Sequence, residues 1–230
     1  MYLARGALNR ASREVQRDLS DATHLHRTIM NAFRDDVGAH PRKALGVLYR
    51  VDEHRSRQEL ALFIQSAERP DFSRLPPGYF ASPADDLDRA LAGGGENPSV
   101  RSVSKERAAI AVGDRLAFRL RANTTRKILT KSLADGTKQN GKRVPVRGDE
   151  ARLDWLARHA EGAGFSVANA RLNEVVQRGT RGASRLTLAG VLFEGVLVVR
   201  NVERFVHALE SGIGPAKAYG FGLLSIARIP

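Results

Sequence analysis

Apolar residues recur along this chain with two different periods, and the switches between them mark the elements. Met1–Leu8 opens with small and apolar residues in a strand-like run. Ser20 and Asp21 are helix-start residues, and from there to about Val37 the period changes. Ala22, Leu25, Ile29, Met30, Phe33 and Val37 fall on one side at about 100° per residue. Pro41 follows as a stop signal. Two strand-like runs come next, Ala44–Val51 and Glu59–Ser66, joined by a polar stretch, which predicts a hairpin. Strand, helix, strand, strand is the first part of a ferredoxin-like βαββαβ unit.

From Pro70 to about Ser104 the pattern dissolves into Pro, Gly and Asp, with Gly93, Gly94, Gly95 and Pro98 as breaks. A second set of elements then begins. Arg115–Ala122 reads as a strand, and Asp149–Glu161 as a helix that carries the one tryptophan and stops at Gly162 and Gly164. Phe165–Ala170 and Leu186–Val199 read as strands, the latter split or bent near Gly190 and Gly195. Val202–Ser211 is helical, and Phe221–Ile229 closes the sheet. The pattern predicts an α+β protein of two tandem ferredoxin-like (RRM-like) βαββαβ domains. They span residues 1–92 and 109–230, with a linker over 93–108. A chain of 230 residues accommodates two such units.

Charge then narrows the function. Thirty-seven Lys and Arg against 25 Asp and Glu leave a formal net charge of +12. That excess favours a polyanion, nucleic acid first and an anionic membrane surface second. No apolar run reaches the ~20 residues of a membrane span. Charge also interrupts the first residues where a signal peptide would be apolar. The expectation is a cytoplasmic protein without a membrane partner. Cysteine is absent and the six histidines include no HExxH pair. We therefore expect neither a metal site nor a small-molecule cofactor.

The cations are concentrated. Between positions 119 and 147 lie Arg119, Arg121, Arg126, Lys127, Lys131, Lys138, Lys142, Arg143 and Arg147, against one acid, Asp135. Thr, Asn and Gly mark much of this as a polar excursion. Arg178, Arg181 and Arg185, set around Gly179 and Gly182, form a second basic stretch at a hairpin tip. The competing reading is a solvated basic loop without a partner. No aromatic string of the kind that stacks single-stranded bases is present, so the pattern leans towards the backbone of an RNA stem.

Two further features carry chemistry. Gly212, Gly214, Gly220 and Gly222 crowd a loop that also holds Lys217. Glycine permits positive φ and close backbone approach, and successive N–H groups can cradle an anion. A phosphate contact is one reading and a turn needed only for chain geometry the other. The loop has neither the Gly-Lys-Ser/Thr ending of a P-loop nor the strand-before, helix-after setting of a dinucleotide site. The second feature is His26, which falls inside the apolar stripe, while His24 points to the polar side with Asn31. A histidine there is commonly a hydrogen-bonded core residue. Near a helix start, however, the dipole lowers the imidazole pKa, and a neutral ring can act as a general base. Arg27 follows with a fork suited to phosphate. If the first turn faces the seam between two domains, His26 meets whatever the glycine loop binds. RNA carries its own nucleophile, the 2′-hydroxyl, so cleavage needs no external one.

These residues resemble the CasE family, the CRISPR repeat-RNA endoribonucleases of type I-E Cascade complexes. The similarity runs in order through residues 1–19, Leu25–Ile29, Phe118–Lys127, Gly141–Val146, Leu153–Phe165, Val191–Val199 and Ser211–Ala227. The resemblance implies tandem ferredoxin-like domains and cleavage of precursor CRISPR RNA at the base of the repeat hairpin. It implies a cyclic phosphate product, no metal, retention of the RNA, and other Cascade subunits as partners. It makes His26 the catalytic residue. Arg27, Arg119, Arg121, Arg126, Lys127, Lys142, Arg143, Arg181 and Lys217 are the candidate RNA contacts. The family's tyrosine three residues before the histidine is Thr23 here, and a lysine five residues after it is Asn31. These departures raise an alternative: an RNA-binding scaffold subunit that does not cleave. A general RNA-binding protein is a third reading.

Overall fold

The computed structural model describes residues 1–54, 59–82, 96–128 and 142–229. Two four-stranded antiparallel sheets organise them, each with the 4-1-3-2 strand order of a ferredoxin-like domain. In chain order the first half holds β1 (Tyr2–Ala7), α1 (Arg13–Ser20), α2 (Ala22–Met30), α3 (Pro41–Ala44), β2 (Leu48–His54), β3 (Glu59–Ser66) and β4 (Ser99–Ser102). The second holds α4 (Ser104–Ala108), β5 (Arg115–Ala122), β6 (Thr125–Ile128), β7 (Lys142–Pro145), α5 (Asp149–Gly162), β8 (Phe165–Arg181), β9 (Ser184–Val199), α6 (Val202–Ser211) and β10 (Leu224–Arg228). The sheets are ordered β2-β3-β1-β4 and β10-β5-β9-β8, and β6 and β7 make a separate two-stranded ribbon. Among the described residues no helix is long and apolar enough to cross a membrane.

Alternation decides which face each strand buries. In β1–β3, Ala4, Leu62, Ile64 and Tyr49 turn towards Leu25 and Ile29 of α2 and form the first core. In β5, Leu116, Phe118, Leu120 and Ala122 turn inward, towards Trp155 and Leu156 of α5 and Phe205 of α6. The opposite faces of the two sheets meet at the seam between the halves. There the fully buried Arg50 of β2 donates to the carbonyl of Leu223 at 3.2 Å, and Gln65 of β3 donates to Leu209 at 2.6 Å.

Five expectations need correction. The segment read as linker contains β4, which pairs with β1 and completes the first sheet. The helix expected to Val37 ends at Met30. It is preceded by α1, whose buried acid Asp18 accepts from the Tyr79 hydroxyl at 3.0 Å and pairs with Arg17 at 2.8 Å. Pro41 does not stop a helix but opens a short one, where its missing N–H costs nothing. β8 runs far beyond Ala170, and Gly190 and Gly195 do not split β9. A Cβ at Gly195 would strike the carbonyl of Asn169, where the β8–β9 register shifts. The basic excursion contains a paired ribbon; Lys131 and Lys138 lie outside the described residues.

Candidate nucleic-acid interface and cleavage site

Asp21 starts α2 by accepting the Thr23 amide at 2.7 Å, and His26 follows one turn later. The ring is half-buried at the seam. It stacks on Tyr49 of β2, with centroids 6.2 Å apart and planes at 15°. Tyr49 is itself buried and donates its hydroxyl to the carbonyl of Ala218, inside the glycine-rich loop, at 2.7 Å. Burial holds that phenol above its ordinary pKa, so it remains a donor. His26 therefore stands beside the glycine loop, at the meeting of the halves. Its Nδ1 is enclosed without a hydrogen-bond partner. Desolvation, and then the positive charge of Arg42, push the ring's pKa down to about 4. At neutral pH the imidazole is uncharged.

The loop's glycines have geometric reasons of their own. Gly212 (φ +74°) lies where a Cβ would come within 2.9 Å of Leu48, in the other half of the molecule. Gly220 (φ +79°) lies where a Cβ would meet the Tyr49 ring at 3.3 Å. Both positions have positive φ, which favours glycine; a side chain is shut out at Gly212 and tightly crowded at Gly220. The Ile213 amide bonds the carbonyl of Gly222 at 2.9 Å, closing the loop on itself. Gly214 and Gly222 likewise have positive φ. The loop packs closely against the first half of the molecule. Lys217 is not free either. It is half-buried, and its Nζ donates to the carbonyl of Gly214 at 2.6 Å.

The second wall comes from the β8–β9 hairpin. Thr23 donates its hydroxyl to the carbonyl of Thr180 at 2.7 Å and accepts the Thr180 amide at 3.1 Å. One side chain thus satisfies both backbone groups of a residue in the other half. Gly179 makes the contact possible, since a Cβ there would sit 3.3 Å from the Thr23 hydroxyl. Arg178, Arg181 and Arg185 are exposed around this tip. Thr23 pins the basic hairpin to the start of the histidine helix. His24, expected on the polar side, is half-buried with its Nδ1 enclosed.

Of the nine basic candidates six are exposed, Arg119 and Arg121 face the seam, and Lys217 belongs to the loop. Arg126, Lys127, Lys142 and Arg143 are exposed on the β6–β7 ribbon, where Lys127 stands opposite Arg143. Like charges directly opposite weaken a strand pair, and the described ribbon contains no acid to offset them. A cleft of about 910 Å³ beside the ribbon adds Arg158, Arg204 and His207 to Arg126 and Lys127, with Glu203 the acid among its walls. Arg27 and Arg181 are also exposed.

Arg119 and Arg121 belong elsewhere, and counting them with the basic excursion was wrong. Both lie on β5 and face the seam. Arg119 pairs with Asp52 at 3.0 Å and also with Glu194, while Arg121 donates to Gln177 at 2.9 Å and lies 5.2 Å from the centre of the Phe221 ring. Sequence reasoning missed Arg42, which follows the proline taken for a stop signal. It also missed Arg158 and Arg204, whose helices reveal no charge pattern until the ribbon is placed beside them.

The family model for CRISPR-associated proteins matches residues 1–228. The CRISPR-associated endoribonuclease Cse3 of Thermus thermophilus is 29% identical, covering 99% of this chain and 100% of the relative. The Cascade subunit CasE of Escherichia coli is 28% identical, with both chains covered completely. A structure of Thermus thermophilus Cse3, bound to an RNA representing a pre-cleavage complex, superposes with a TM-score of 0.75. It is 30% identical and covers 98% of each chain. A domain-seam histidine over a glycine loop, a pinned basic hairpin and this end-to-end similarity lead to one assignment: the chain belongs to the CasE family of CRISPR-associated proteins.

Proposed function

We propose that this chain is a metal-independent endoribonuclease that cuts precursor CRISPR RNA at the base of the repeat hairpin. It then keeps the product within a Cascade complex. The single observation that carries the reading is His26: an uncharged, half-buried imidazole at the seam, between a basic hairpin tip and the glycine loop. Neutral His26 accepts the proton of the 2′-hydroxyl at the cut site. The 2′-oxygen then bonds to phosphorus, the bond from phosphorus to the 5′-oxygen breaks, and the leaving oxygen takes a proton from solvent. The product ends in a 2′,3′-cyclic phosphate. Holding nucleophile and leaving group in line supplies much of the acceleration. The ribbon cations Arg126, Lys127, Lys142 and Arg143, together with Arg27 and Arg181, bind the stem's phosphates. Lys217 holds the loop and adds its charge to the site.

A second reading, an RNA-binding Cascade subunit that does not cleave, draws support from Thr23. Its one O–H is given to the Thr180 carbonyl rather than left free for a reacting phosphate. One experiment separates the two. The repeat hairpin from the organism's own CRISPR array is incubated with wild type and His26→Ala in EDTA. Cleavage by wild type alone supports the nuclease. Intact RNA recovered from a tight wild-type complex supports the scaffold, and equal cutting by both proteins removes His26 from the mechanism.

A further inference from the structure

Among the described residues most buried and half-buried arginines pair with a carboxylate, while Arg121 donates to Gln177 instead. Arg50 pairs with Asp52 at 2.7 Å, Arg107 with Glu210 at 2.7 Å, and Arg152 with Glu174 at 2.6 Å. Arg42 breaks this habit. It sits on α3, half-buried, and its guanidinium donates one hydrogen bond, to the carbonyl of Val47 at 3.1 Å. Beside it is Lys217, also half-buried and bonded to a carbonyl rather than an acid. Among the described residues neither forms an ion pair.

The two cations share the wall of a cavity of about 560 Å³ with Lys43 and His207. The acid on that wall, Glu210, is already engaged by Arg107. Two like charges held together away from water, without a counter-charge, are unfavourable for folding. Burial, and then the positive charge of Arg42, hold the Lys217 ammonium below its ordinary pKa. The same guanidinium bears on His26. Arg42 is thus within electrostatic reach of both the imidazole and the lysine. The loop residue next to Lys217, Ala218, is bonded to the tyrosine on which the imidazole stacks.

We propose that Arg42, with Lys217 beside it, grips the scissile phosphate of the RNA and stabilises the negative charge that develops on it. The inference rests on the nuclease reading and adds the group that faces the phosphate. A guanidinium suits this task because its planar fork can engage two phosphate oxygens at once. A preorganised donor also contributes most where water is partly excluded.

The test uses the full chain and the hairpin of its own repeat, with Arg42→Gln and Arg42→Lys as variants. Single-turnover cleavage falls about 100-fold in Arg42→Gln, the loss expected for one transition-state donor. Arg42→Lys retains an intermediate rate. Affinity for an uncleavable hairpin, with 2′-deoxyribose at the cut site, changes less than about threefold, because the stem contacts remain. Cleavage by Arg42→Gln within twofold of wild type overturns the proposal. A second readout does not depend on cutting. The product stem is bound with either a 3′-phosphate or a 3′-hydroxyl at its end. Wild type prefers the phosphate, and Arg42→Gln loses the preference. If wild type leaves the repeat intact, the nuclease reading fails, and the phosphate preference alone decides the role of Arg42. An unchanged preference in Arg42→Gln overturns it.

Discussion

Two groups of arginines lie along the same seam, and they are treated in opposite ways. Around β2 and β5, Arg50 and Arg119 are bound by Asp52 and Glu194, and the cluster is bridged and neutral in character. Elsewhere, the charge of Arg42 bears on both His26 and Lys217, and among the described residues neither cation forms an ion pair. Arg42 and Arg119 are both half-buried arginines, so neither residue type nor burial identifies a binding group. The partner does. Where the protein supplies a carboxylate, as at Arg50 and Arg119, the arginine joins two folded halves; at Arg42 it supplies none, and the proposed partner is an anion from outside.

The contrast can be broken from either side. The largest effect is expected at Asp52. Asp52→Asn leaves Arg50 as an unpaired charge with a side chain 2% exposed, and should cost about 3–5 kcal/mol of stability in urea unfolding. The surviving folded fraction should still bind the repeat hairpin. A loss of affinity without a loss of stability would mean that this cluster also serves RNA.

Next comes Lys217→Glu, which gives Arg42 the carboxylate it lacks. Thermal stability should hold or rise, while cleavage falls about 100-fold, or about 2.7 kcal/mol. A variant that still cuts would show that the local positive charge is dispensable.

Acid then sharpens the comparison. The folded pKa of His26, about 4, lies below the ordinary value of 6.5. As pH falls, the unfolded chain takes up this proton first. Stability from the neutral ring is therefore complete above pH 6.5 and lost between 6.5 and 4. At pH 5 the loss from this residue should be about 2 kcal/mol, and it should vanish from the acid limb of His26→Gln. Arg42→Gln should raise the His26 pKa in an NMR titration, since a positive neighbour has been removed. An unmoved resonance would separate the two groups.

The smallest effect belongs to the exposed ribbon. Reversing charge at Lys142 and Arg143 should weaken hairpin binding about tenfold at moderate salt. It should also flatten the slope of log affinity against log salt, by roughly one for each lost phosphate contact. A parallel line would mean that these side chains do not reach the stem.

Much of the architecture was readable because alternating apolar residues fix both the strand and its buried face. β5 and β3 and the amphipathic α2 all declared themselves in this way. What escaped lacks that signal. The described ribbon strands read Thr125–Ile128 and Lys142–Pro145, which contain more charge than apolar surface. α1 buries few apolar side chains and relies on a buried acid satisfied by Tyr79 and Arg17. His26 stood out because a titratable ring sat in an apolar stripe. Arg42 did not, because one cation after a proline looks like any solvated surface charge. Only the fold reveals that it is half-buried and, among the described residues, forms no ion pair. Arg119 and Arg121 show the reverse error. Alternation within β5 places them on the face opposite Leu116, Phe118 and Leu120, and that parity outweighs their closeness in sequence to the ribbon.

Chain order has a last implication. The floor beneath His26 is made from residues 212–222, whereas the histidine and its stacking tyrosine come from the first fifty. On the ribosome the histidine helix emerges long before the segment that supports it. A nascent chain stopped before Gly212 would carry the imidazole yet leave the Tyr49 hydroxyl without its Ala218 acceptor, and should be inert towards RNA. The site beneath His26 is complete only once residues 212–222 have been made and have folded back onto the first half.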